Sequence, residues 1–283
     1  MVPLMVDCAA YTKAGTHTAV NQDTVHASAI DAGLTFVAVA SVFDGHGLLG
    51  ERAASVAAAA LPAIVAAESW VEEPEACMRR VIAALQTTVI AAHEPQTLPS
   101  THEHLHATYT LSADGCSYSS DARSALGGAA GRKFPIDFGC TAAVAVLVPQ
   151  TSTLIVGNAG DSAVLLCSAS DDDELFISEV SVKHTASEAA EERRLEVACS
   201  SGVARLVDGY LQAIRGELRG HSLQPTRGLG HPAWAAYGVS AEPHVISLSV
   251  ADGVDGVSGR SGFAIAVLSD GVTDSLDQQA SSA

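Results

Sequence analysis

The chain has 283 residues, 48% of them hydrophobic and 17% charged, and its 32 acidic against 15 basic side chains give a formal charge of −17. That apolar share supports a sizeable core and excludes an intrinsically disordered chain. The acidic excess excludes nucleic acid and anionic membrane as partners, because both are bound through Lys and Arg. A phosphorylated substrate would need a cation in the site, and a bound divalent metal could supply it with the acidic residues as oxygen ligands. Aromatic residues make up only 5%, so the core is expected to be built from Ala, Val and Leu. Six scattered cysteines without a Cys-x-x-Cys pair are expected as buried free thiols in a reducing compartment. No basic leader and no run of ~18 apolar residues is seen, which predicts a soluble, intracellular protein, taken as a monomer.

In chain order, residues 35–43 form an apolar run closed by Asp44-Gly45-His46-Gly47, the pattern of a buried strand ending in a turn. Residues 50–65 are Ala-rich and predict a helix. A second helix is predicted over 74–93, with Pro74 in its first turn and Pro95 beyond its end. Residues 94–137 are rich in Ser, Thr, His, Gly and Ala without a clear period, and predict a long surface insertion with at most one short element. Strands return over 141–148, 153–158, 162–167 and 175–180, separated by turn residues, as an antiparallel meander. A short helix is predicted over 187–199, with Ser187 as its cap and acidic residues in its first turn. Residues 245–250 and 263–268 are two further buried strands. Strands grouped with strands and helices with helices indicate an α+β fold, sheets covered by helices.

Two of these strands run into Asp-Gly, at Asp44-Gly45 and Asp270-Gly271. Asp161 stands between two strands, and Asp23 precedes a Val-containing stretch. A carboxylate at the rim of a sheet is rigidly placed, and Gly beside it lets a carbonyl or a water approach. Mg²⁺ and Mn²⁺ take such oxygen ligands, and two ions ~4 Å apart can activate a water for in-line attack on a phosphoryl group. Asp-Gly after a strand is also the commonest kind of turn, and spacing alone does not separate the two readings.

The residues themselves resemble the protein phosphatase 2C (PP2C) family of metal-dependent serine/threonine phosphatases. Val42-Phe43-Asp44-Gly45-His46-Gly47 is similar to its DGHGG signature, and Asn21-Gln22-Asp23 to its (N/M)(E/Q)D box. Gly139-Cys140-Thr141-Ala142, Asn158-Ala159-Gly160-Asp161-Ser162 and His184 followed by Glu191 and Gly202-Val203 resemble further boxes in family order. Pro225-Thr226-Arg227-Gly228-Leu229-Gly230 and Leu268-Ser269-Asp270-Gly271-Val272-Thr273-Asp274 complete the series. The resemblance implies a β-sandwich of two antiparallel sheets flanked by helices, with a binuclear Mn²⁺ or Mg²⁺ centre. It implies hydrolysis of phosphoserine and phosphothreonine in proteins by a metal-activated water. Asp44 would bridge both metals, the Gly45 carbonyl would bind one, and Asp23 and Asp270 would supply further ligands. Asp161 and Asp274 match a weaker third metal position, and His46 the general acid toward the leaving alkoxide.

The chain departs from the family at several positions. Thr18 stands where an Arg or Lys binds the substrate phosphate, with His17, Lys13 and Arg52 as candidates to take over that contact. Ala163 replaces an Arg, and His231 replaces the Asp that ends the RxLGD box. The family continues beyond Ala283 to a D-N box whose Asp is a metal ligand, so the resemblance implies one phosphatase domain over 1–283, incomplete at its C-terminal end. An active phosphatase and a pseudophosphatase that binds phosphoproteins or partners both fit this pattern. His102, His104 and His106 alternate and would share one strand face, which leaves a histidine-bound transition metal as a third reading. The 171–174 acidic run is read as a solvated turn.

Overall fold

A computed structural model describes residues 7–14, 20–33, 35–104, 107–121, 131, 133–169, 175–250 and 263–281. His17, Thr18, His106 and the 171–174 acidic run lie outside the described residues. The chain begins with an antiparallel pair, β1 (Thr24–Asp31) and β2 (Phe36–Phe43), and the three-residue β3 (Gly45–Gly47) follows the Asp44 turn. Helices α1 (Gly50–Ala66) and α2 (Pro74–Ala91) stand where helical patterning placed them. Ala53, Ala54, Ala57 and Ala58 line the buried face of α1. Their methyl groups let the helix lie close to the sheet beneath it, which is why an aromatic-poor sequence still packs densely.

Residues 94–137 are not the irregular stretch that their composition suggests. β4 (Thr101–His104), β5 (Ala107–Leu111), β6 (Ser117–Ser120) and β7 (Lys133–Pro135) pair in that order as a four-stranded antiparallel sheet. One face of this sheet is polar, so its alternation is carried by a few aromatic residues. Tyr109 and Tyr118 are fully buried, Tyr109 packs edge-on to Phe134 at 5.2 Å, and the Tyr118 hydroxyl donates to the Pro99 carbonyl at 2.8 Å. Tyr118→Phe is expected to cost about 1 kcal/mol by removing that buried bond, measured by urea unfolding. An unchanged midpoint would mean that the segment does not belong to the packed core.

The remaining strands are β8 (Phe138–Cys140), β9 (Ala142–Val148), β10 (Thr153–Ala159), β11 (Ala163–Ala169) and β12 (Leu175–Glu179). Beyond α3 (Ala189–Ser200), the short strands β13 (Ala204–Val207), β14 (Tyr210–Ala213) and β15 (Ser222–Leu223) make a small sheet. The two-residue β16 (Leu229–Gly230), β17 (His244–Ser249), β18 (Phe263–Leu268) and α4 (Asp270–Ser281) complete the described elements.

Two sheets form the sandwich. One has five strands in the order β1-β2-β9-β10-β17, the other three in the order β12-β11-β18, and all pairs are antiparallel. Ala145, Leu147, Leu154 and Val156 of the larger sheet meet Val164 and Leu166 of the smaller one. The opposite face of the larger sheet, with Val39, Val144, Val146 and Ile155, packs on Leu61, Met78, Ile82 and Leu85 of the helices. β9 is buried along its whole length. A strand covered on both faces needs no polar alternation, and its Ala-Val-Leu run follows from that. α3 and its small sheet enclose a separate core with Leu195, Leu211, Trp234 and Tyr237. The expected α+β sandwich is therefore what the chain forms.

All six cysteines are free, but only Cys77 and Cys140 are buried, and Cys8 and Cys116 are exposed. Among the described residues no helix is long and apolar enough to cross a membrane.

Candidate metal centre

Three of the segments singled out in the sequence meet in one small antiparallel sheet, ordered β16-β8-β3. Gly45 lies opposite Cys140, His46 opposite Gly139, and Gly139 in turn opposite Gly230. Gly45 is needed for space. Its N–H donates to the Gln22 carbonyl at 3.2 Å, and a Cβ there would collide with the Gly50 carbonyl and lie 2.7 Å from that of Gln22. Gly45→Ala is expected to cost about 1–3 kcal/mol, the usual penalty of overpacking, and to displace the Asp44 turn. A thermal midpoint equal to that of the parent chain would contradict this packing.

Four carboxylates gather beside this sheet. Asp23 precedes β1, Asp44 joins β2 to β3, Asp161 joins β10 to β11, and Asp270 opens α4. The Asp44 backbone is held at both ends by Thr141, whose hydroxyl accepts from Asp44 N–H at 3.0 Å and whose N–H donates to Asp44 O at 2.8 Å. The Thr141 hydroxyl also bonds that of Ser162 at 2.7 Å, which ties the Asp161 turn to the Asp44 turn. Ser269 donates to Asp23 Oδ2 at 2.8 Å and so links the two ends of the chain's acidic set.

Burial and the neighbouring carboxylates act most strongly on Asp44 and Asp161. Burial pushes the Asp44 carboxyl up to about 10, helped by the charges of Asp23 and Asp270, a hydrogen bond shared with Asp270, and Asp161. Burial and then Asp270 push Asp161 up to about 7. Asp161 is 1% exposed, and neither of its carboxylate oxygens has a hydrogen-bond partner among the described residues. Buried oxygens of this kind, all from hard carboxylate donors, fit a divalent ion such as Mn²⁺ or Mg²⁺. Asp274 is exposed on α4, and its charge reaches Asp161. Among the described residues no group of three or more His, Cys, Asp or Glu side chains is already gathered tightly enough to hold an ion.

A family model for protein phosphatase 2C matches residues 22–281. The chain belongs to the protein phosphatase 2C family. Among solved structures it is similar to a sex-determining protein of C. elegans, with 19% identity and a TM-score of 0.61 over 91% of this chain. The match covers 50% of that protein's chain, so the present chain spans half its length. A serine-threonine phosphatase 2C from Toxoplasma gondii aligns over 81% of this chain and 73% of its own, with 13% identity and a TM-score of 0.49. No curated protein sequence matches the chain. At these identities the likeness to solved structures concerns the fold.

Within this phosphatase 2C fold, His46 stands with Nε2 3.8 Å from Asp44 Oδ1. Burial, and then the neighbouring His231, hold its pKa down to about 4. The ring is therefore neutral at physiological pH, and the imidazolium that a general acid would carry is not its resting form. Arg52 donates to the Ala92 carbonyl at the end of α2 (3.3 Å), and Lys13 is exposed. A cation that sequence reasoning missed is Lys183, whose charge lowers Asp161. It lines a cavity of about 410 Å³ with Thr185, Asp208, Tyr210, Gln224 and Asp274. Its only signal in the sequence was its place just before His184.

His102 and His104 share a face, with their rings 6.3 Å apart. His102 Nε2 lies 3.4 Å from Glu51 Oε1, and Gln22 donates to the other Glu51 oxygen at 3.1 Å. His102 therefore joins the β4–β7 sheet to the first turn of α1 through Glu51.

Proposed function

We propose that the chain is a metal-dependent protein serine/threonine phosphatase. The observation that carries this reading is the convergence of Asp23, Asp44, Asp161 and Asp270 at strand ends, where burial and the neighbouring carboxylates disfavour the charges of Asp44 and Asp161 unless a cation is present. Asp44, the Gly45 carbonyl, Asp23 and Asp270 would hold two Mn²⁺ or Mg²⁺ ions, and Asp161 with Asp274 a third. Bound divalent ions would supply an ionised water and neutralise the phosphoryl oxygens of a phosphoserine or phosphothreonine protein. The chain's own part is positional. Thr141 fixes the Asp44 backbone, and Gly45 lets its carbonyl face the centre. His46, neutral, is read as a hydrogen-bond donor to the departing Ser or Thr oxygen. Residues 1–283 are taken as one catalytic unit, with the β4–β7 sheet as its addition at 94–137.

The test is phosphate release from a phosphothreonine peptide by the purified chain across Mn²⁺ and Mg²⁺ titrations. Release that depends on the ion supports an enzyme. A folded chain that binds the peptide calorimetrically, yet releases no phosphate at any ion concentration, would instead be a phosphatase-fold binding module. The commitment of Arg52 to the end of α2 favours that second reading.

A further inference from the structure

We propose that His231, held by Asp137, is a positioning residue that fixes the ring of His46 through one shared, hydrogen-bonded water. His231 follows β16 directly and takes a left-handed backbone, φ 54°. That conformation is uncommon outside Gly, although Asn, Asp and His adopt it more readily than other residues, and it persists where the surroundings hold it. Here they do. His231 N–H donates to the Phe138 carbonyl at 3.0 Å, and its own carbonyl accepts from Trp234 at 3.0 Å. Nδ1 bonds Asp137 Oδ2 at 3.0 Å, and the other Asp137 oxygen accepts from Ala233 N–H at 2.9 Å.

A carboxylate only accepts, so the proton of a neutral His231 ring sits on Nδ1 and Nε2 presents a lone pair. Nε2 is buried and has no partner among the described residues, and the same is true of His46 Nδ1. The two rings are 6.2 Å apart, inclined at 47°. Gly139 lies between their strands. A Cβ there would collide with His231 Cδ2 and fall 2.6 Å from its Nε2, so the missing side chain is what lets the His231 ring lie against the strand that pairs with His46. The shared water donates one hydrogen to His46 Nδ1 and the other to His231 Nε2, the two buried nitrogens that the described residues leave without a partner. That bond fixes the His46 tautomer with its proton on Nε2, the nitrogen turned to Asp44.

The inference rests on the phosphatase reading for its kinetic arm only. Ring nitrogens of the nitrogen-15 histidine-labelled chain are read by NMR, with His46→Ala and His231→Ala to assign them. In the unsubstituted chain His231 should be protonated on Nδ1 and bare on Nε2, and the reverse tautomer would overturn the proposal without any variant. His231→Asn tolerates the left-handed backbone and keeps a donor to Asp137, but removes the nitrogen that faces His46. His231→Gln sets an amide where Nε2 was and gives up the Asp137 bond. The expected result is an altered His46 tautomer in His231→Asn and restoration in His231→Gln. Kinetically, kcat should fall about tenfold in His231→Asn with KM within about twofold. A purely structural role through Asp137 would reverse the order of the two variants. That reversal, or a His46 spectrum unmoved in His231→Asn, overturns the inference. Absence of turnover in the unsubstituted chain would count against the phosphatase reading alone, because the NMR arm needs no substrate.

Discussion

Asp44→Asn is expected to lower phosphatase turnover by about 10³-fold or more, the scale of losing ~4 kcal/mol of electrostatic stabilisation at a reacting centre. The same substitution should stabilise the ion-free fold. The folded-state pKa of Asp44 is raised to about 10, first by burial and then by Asp23 and Asp270, whereas the unfolded chain ionises near the ordinary 3.8. Between those values the folded chain keeps a proton that the unfolded chain gives up, so stability falls as pH rises through that window. Asn carries no such proton and should flatten the slope. In a chain of this size each kcal/mol recovered lifts the melting temperature by about 2–4 °C. Adding Mn²⁺ should raise the parent more than the variant, because an ion that binds only the folded state stabilises it, by about 2.7 kcal/mol at a hundred times its Kd. Melting curves of both proteins with and without Mn²⁺, at mildly alkaline pH, read all of this. Two results would sink the assignment of Asp44: an Asn variant that melts below its parent without ions, or one that Mn²⁺ stabilises equally.

The acidic strand ends were legible because their signal is local. An apolar run that stops at Asp-Gly places the carboxylate at a sheet rim whatever the rest of the chain does, and Asp44 and Asp270 are found there. The helices were legible for the same reason, since Ala-rich periodicity and Pro74 act within a few residues. The four-stranded sheet at 101–135 was not, because its strands are short and polar on one face and three aromatic residues provide its burial. Asp137 could not have been found from the sequence at all. Its role depends on His231, 94 residues away, and on a backbone turn that no residue pattern announces. His231 itself was visible only as a departure. The structure gives it a buried carboxylate partner, Asp137, just ahead of β8.

Glu191 is the residue whose loss should cost the fold most among the polar groups. It is 1% exposed, and one carboxylate serves two guanidinium groups. Oε2 accepts from Arg194 at 2.7 and 2.9 Å and from the Thr226 hydroxyl at 2.7 Å, while Oε1 accepts from Arg227 at 2.6 and 3.0 Å. Arg194 goes on to the carbonyls of Thr226 and Gly238, and Arg227 to that of Glu242. The carboxylate thus locks α3 to the segment that leads into β16 and His231. Burial alone would raise its pKa, but the bonds from Arg227, Arg194 and Thr226 outweigh burial and hold it down to about 2. A depressed carboxyl contributes stability above its unfolded value near 4.5 and loses it as pH falls toward 2. Glu191→Ala, which leaves both arginines facing no carboxylate, should cost about 3–5 kcal/mol in urea unfolding. Exposed Glu192→Gln should stay within about 0.5 kcal/mol of the parent. Glu191→Gln should lose the acid-dependent part of stability, so its curve and the parent's converge as pH falls from about 4.5 to about 2. If the two curves instead stay parallel through that range, the carboxylate is not what joins α3 to the approach to His231, and the joint must rest on the small core of Leu195, Trp234 and Tyr237.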